Sequence, residues 1–174
     1  MRQTILTLLA GLSMLAGCAP GALRPGEATA AEPHGHGHGH EPTSHNHDRG
    51  HMMIASNGVV DALLTSHLSA KDGNELDVFV EKDGRPLALG VMGIDAKAKR
   101  AGSGGESTLR FTCAPTDERP EGEAEGTCSH FVARAIWMAP EDRLEVVTTL
   151  PLLGGDVIYT WRSFDPRRYA HHVE

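Results

Sequence analysis

Between Glu75 and Lys82 the sequence alternates strictly, with Leu76, Val78 and Val80 on one side and Asp77, Phe79 and Glu81 on the other. Successive side chains of an extended chain point to opposite faces, so a strand with one side on a core gathers that aliphatic set, whereas helical spacing scatters it. The next residues, Lys82-Asp83-Gly84-Arg85, contain an Asp-Gly pair suited to a two-residue hairpin turn, and Leu87 to Ala96 is expected to return beside the first strand. The same pattern recurs along the chain. Ser107 to Cys113 sets Leu109, Phe111 and Cys113 against Thr108, Arg110 and Thr112, and Cys128 to Ile136 puts Phe131, Ala133 and Ala135 on one face. Arg143 to Leu150 and Asp156 to Phe164 complete the series, and Val59 to Leu68 precedes it, although its start also fits a helical turn. Ala139-Pro140-Glu141-Asp142 and Leu153-Gly154-Gly155-Asp156 supply turns. With no long amphipathic helix and no internal repeat, seven short strands predict an all-β fold. The expected architecture is an immunoglobulin-like antiparallel β-sandwich over residues 52–166, with 167–174 as a solvated C-terminal tail.

The front of the chain obeys different rules. Met1 and Arg2 precede an apolar stretch from Ile5 to Ala16, too short to span a bilayer comfortably but suited to the core of a signal peptide. It ends in Leu15-Ala16-Gly17-Cys18, which resembles the bacterial lipobox: a branched apolar residue, two small residues and the cysteine that becomes acylated. The expectation is a lipoprotein signal peptide over residues 1–17 and a lipid anchor on Cys18. The competing possibility is an ordinary secretory signal with an incidental cysteine. Ala19, where an aspartate often marks inner-membrane retention, favours an outer-membrane, periplasm-facing location in the cell envelope. Residues 18–51 then read as a tether: Pro20, Pro25, Pro33 and Pro42 lie among Gly, Ala, Glu and His, with too little apolar surface to offset the entropy of ordering.

An exported chain that spends Cys18 on a lipid has two thiols left, Cys113 and Cys128. An even number in an oxidising compartment is expected to form a disulfide, closing the Pro-, Gly- and Glu-rich segment Ala114 to Thr127. Ligation of a metal by Cys113, Cys128 and His130 is the rival arrangement.

The tether carries the strongest chemical signal. His34, His36, His38, His40, His45, His47 and His51 are seven of the eleven histidines of the chain. Neutral imidazole is a good ligand for Zn, Cu, Ni and Co ions. Histidines two apart on an extended chain are about 6.6 Å apart, too far to share an ion. The intervening glycines let the backbone fold and bring them together. Overlapping ligand sets are expected, giving labile binding of several ions with modest selectivity. The bland alternative is a solvated spacer. Met52 and Met53 offer thioethers to Cu(I), but more simply serve as core or staple residues at the start of a domain. His171 and His172 form a further, weaker candidate ligand pair, while His67 and His130, on expected strands, are expected to be structural.

Several function classes find no support. Without Arg2, the mature chain has 15 basic against 23 acidic residues, the reverse of a nucleic-acid footprint. Gly-x-Ser-x-Gly, His-Glu-x-x-His and phosphate-binding glycine loops are all missing from the sequence, and pairing of the two cysteines would remove the thiolate a blue-copper site needs. Catalysis is not expected.

The lipobox, the His-Gly tract, the stretch from Thr65-Ser66-His67-Leu68 through Glu75-Leu76-Asp77-Val78-Phe79-Val80, and the segments Cys128-Ser129-His130-Phe131 and Tyr169-Ala170-His171-His172 look like modules of periplasmic proteins in bacterial heavy-metal efflux systems. The resemblance implies a metal-delivery or accessory role beside an efflux complex, with the membrane as a second partner through the anchor. A chain this short lacks the helical hairpin, lipoyl-like and barrel portions of a full periplasmic adaptor. The alternative role is an envelope interaction module whose histidines make only a pH-responsive spacer.

Overall fold

A computed structural model describes residues 49–103 and 105–173, with only the backbone described for His172 and Val173. Cys18 and the tract histidines His34 to His47 lie outside the described residues. After a 3-10 turn, Arg49–His51, come ten strands, with a second 3-10 turn, Thr116–Glu118, between the sixth and seventh: β1 Met53–Ser56, β2 Asp61–Leu68, β3 Glu75–Lys82, β4 Arg85–Pro86, β5 Gly93–Arg100, β6 Glu106–Cys113, β7 His130–Arg134, β8 Leu144–Leu152, β9 Gly155–Phe164 and β10 Ala170–Val173. Among the described residues no helix is long and apolar enough to cross a membrane.

The all-β, mainly antiparallel expectation holds, and β3, β6, β8 and β9 fall where the alternation places them. The arrangement differs from two separate immunoglobulin-like sheets. One continuous ladder runs β1-β2-β3-β7-β6-β5-β8-β9, with β10 added to β2 and β4 to β3. Its end strands approach each other, so the sheet is nearly barrel-shaped. Side chains of β9 span the gap: Tyr159 Oη donates to the Val60 carbonyl at 3.1 Å and Trp161 Nε1 to the Ala62 carbonyl at 3.2 Å. Inward-facing residues fill the interior, among them Leu64, Leu76, Val78, Val80, Phe111, Phe131, Leu144, Val146, Leu150 and Trp161. Trp137 is only partly buried, with the Arg100 guanidinium 5.8 Å over its ring.

The Asp83-Gly84 turn forms as expected, both residues having positive φ (52° and 71°), but its hairpin ends after Lys82↔Arg85 and Glu81↔Pro86. The Leu87 N–H makes one last bond to the Val80 carbonyl at 2.8 Å, but the Val80 N–H donates instead to the Ser129 carbonyl at 2.9 Å, so the hairpin ladder goes no further. The chain departs through Leu87 to Met92, and β5 pairs instead with β6 and β8. Leu87 to Ala96 is therefore not the partner of β3, whose neighbours are β2 and β7. The segment 167–174 is more than a tail, because Ala170–Val173 lies parallel to β2. β2 exposes one edge to two short partners, β1 along Asp61 to Leu64 and β10 along Ser66 to Leu68.

Candidate metal-binding face

Most strands bury alternate residues, but β2 and β3 are buried on both faces. Their inner residues join the main core, whereas Leu63 and Phe79 form a second small cluster with Met52 on the outer face. Met52 thus packs as a staple residue at the start of the domain. The Arg49 guanidinium anchors the same segment, contacting Glu81 and, at 3.2 Å, Asp61. His51, the last histidine of the tract, is exposed at the edge of this face.

The outer face also holds a row of polar side chains set by the strand registers. Thr65 opposes Asp77, His67 opposes Glu75, Phe79 opposes His130, and Asp77 opposes Val132. His130 is buried and stacks on Phe79, with ring centroids 4.1 Å apart. Its Nε2 lies 3.0 Å from Asp77 Oδ1 and its Nδ1 3.0 Å from the Glu118 carbonyl. A neutral imidazole has one donor, so both contacts are made when the ring carries two protons, or when Asp77 carries the proton it shares with Nε2. Either way both nitrogens are occupied, and His130 is a structural histidine as expected.

Cys113 and Cys128 form a disulfide with Cα atoms 5.8 Å apart. Cys113, Glu123 and Cys128 have donor atoms within 4.8 Å of one another, the only such trio among the described residues. Proximity and bonding point in opposite directions here, and bonding decides. Metals take thiolates, and neither sulfur is one. The alternative of a Cys113, Cys128 and His130 site is thereby overturned.

The histidines at the other end of the face are arranged differently. His67, half-buried on β2, and His171, exposed on β10, have ring centroids 5.8 Å apart with planes at 61°. His171 Nδ1 lies 3.3 Å from Thr65 Oγ1, which itself contacts the Tyr169 carbonyl. His172 is the backbone register partner of His67. The sequence marks the His171-His172 pair, but its joining to His67 depends on β10, an element too short for the alternation to reveal. Comparison with family models, with curated proteins and with solved structures finds no match.

Proposed function

We propose that the protein is an extracytoplasmic lipoprotein, held to the membrane through Cys18, that binds transition-metal ions through the His34 to His51 tract and buffers them or passes them to an efflux system. The observation that carries this reading is the concentration of seven histidines into 18 residues, four of them alternating with glycine. The metal is Zn, Cu, Ni or Co, the ions that imidazole suits. A disulfide-stapled β domain is in keeping with an oxidising compartment. The last histidine of the tract, His51, lies in the 3-10 turn Arg49–His51 that precedes β1. In the same reading the β domain supplies a docking surface for an envelope partner.

The test compares the full chain with one in which all seven tract histidines are replaced by Asn. Ligation requires neutral imidazole, which in water titrates near about pH 6.5. Calorimetry with Zn(II) at neutral pH is expected to show several ions per wild-type chain, with that capacity gone by about pH 5, where protons displace the ion. Equal capacity in the two chains would reduce the tract to a spacer.

A further inference from the structure

We infer that His67 and His171 form a bis-imidazole site for one divalent transition-metal ion at the seam between β2 and β10, with Glu75 as the nearby carboxylate donor. This site is separate from the tract and does not depend on it.

Three observations converge. The first is distance. With metal–nitrogen bonds of about 2.0–2.1 Å and a tetrahedral angle, imidazoles sharing an ion have centroids roughly 5 Å apart. The 5.8 Å separation of His67 and His171 is a small side-chain rotation away from that.

The second is the backbone. Ala170 is in register with Ser66, and His172 with His67, so β10 advances two residues where β2 advances one. His171 is the extra residue of this irregularity. A bulge re-aims the side chain it carries, and here the ring stands over the outer face beside His67 while Ala170 remains in the core.

The third is the tautomer. Thr65 has one hydroxyl proton, and it points to the Tyr169 carbonyl at 2.5 Å. Toward His171 Nδ1, at 3.3 Å, the Thr65 oxygen therefore accepts. Nδ1 carries the proton of the neutral ring, leaving the lone pair on Nε2, the state a metal ligand requires. Glu75 faces His67 across the β2–β3 ladder, and its ion pair with Arg134 Nε is a long one, 3.9 Å. Cross-strand neighbours on one face have Cβ atoms about 4.5–5.5 Å apart, so a rotamer change brings the carboxylate to an ion held by His67. Two imidazoles and a carboxylate suit Zn(II), Cu(II), Ni(II) or Co(II) over Ca(II) or Mg(II). An ion bound there crosslinks the C-terminal strand to the sheet.

The probe is Zn(II), added to the full chain whose tract histidines are replaced by Asn. The expected result is one ion per chain, with slower amide exchange over 170–173 on zinc addition. His171→Gln, at an exposed position that does not threaten folding, is expected to weaken binding by about tenfold or more, and Thr65→Val, which leaves both ligands in place, by several-fold. His67→Gln is expected to act as His171→Gln does, with the melting temperature of the metal-free protein as its folding control. The inference is overturned if the tract-substituted chain binds no zinc, or if His171→Gln binds as tightly as its parent. Neither result touches the tract proposal, which stands or falls on the difference in capacity between the wild-type and tract-substituted chains.

Discussion

Tyr159 and His130 show how single side chains close this fold. Tyr159 is 2 % exposed and donates its hydroxyl across the gap in the ladder to the Val60 carbonyl. Burial pushes its pKa up from 10.0, and the Asp61 carboxylate pushes in the same direction. In the unfolded chain the phenol ionises near about pH 10, whereas the folded protein holds it neutral to higher pH. Its contribution to stability is therefore complete below about pH 10 and is lost as the pH rises from there through the folded value. Lys97, kept protonated mainly by its hydrogen bond to Glu106 at 2.8 Å, shifts the same way but is solvent-screened. Tyr159→Phe is expected to cost about 1 kcal/mol at neutral pH and to flatten the decline of stability above about pH 10. Urea titrations at several pH values measure both, and a decline equally steep in the variant would remove Tyr159 from the account. His130 was legible from sequence as structural, because it falls in an alternating run. Its partners were not, since Asp77 and the Glu118 carbonyl are 53 and 12 residues away.

At the scale of elements, the alternation revealed those strands long enough to repeat it. β3 has eight residues and β8 nine, several full periods each. β1 and β10 have four each, too few to separate a strand from a loop, and they are strands because β2 has an edge to cover. β9 shows the opposite failure, where the pattern breaks although the strand continues. Trp161 and Phe164 both face the core although three residues apart, because an irregularity in the β8–β9 register, with Ser163 at φ 57°, inserts one extra residue. Edge cover has an energetic consequence for β10. Its ladder occupies the Ser66 to Leu68 edge, next to the hydrogen bonds from Ser66 N and Ser66 Oγ to the Tyr169 and Pro166 carbonyls. Ending the chain after Tyr169 leaves that edge to water, and is expected to cost about 1–2 kcal/mol and to promote self-association through the open strand. Urea midpoints and sedimentation velocity test this, and an unchanged midpoint would mean that β10 is not a stabilising part of the sheet.

In the domain as a whole, the ladder consists of two four-stranded groups, β1-β2-β3-β7 and β6-β5-β8-β9. The expectation from sequence of about seven antiparallel strands captured the all-β character but not the grouping or the seam between the groups, because pairing between distant strands leaves no periodic mark. That seam is short. β6 and β7 share only Thr112↔Val132 and Cys113↔Phe131, whereas β5 and β6 pair from Gly93↔Thr112 to Lys99↔Glu106. The disulfide sits at this seam, since Cys113 ends β6 and Cys128 lies two residues before β7. It therefore has two effects, restricting the unfolded chain and holding the two groups at their weakest join. For a closed loop of this length the first effect is about 3 kcal/mol in the chain-entropy model. In a domain of this size that lowers the melting temperature by on the order of 10 °C when the bond is reduced. The second effect has a separate signature, because faster amide exchange should concentrate in Thr112, Cys113, Phe131 and Val132, not in the β5–β6 and β8–β9 ladders. The paired replacement Cys113→Ala with Cys128→Ala should reproduce both changes without added reductant. A reduced protein that melts with the oxidised one would show that the ladder alone carries the seam.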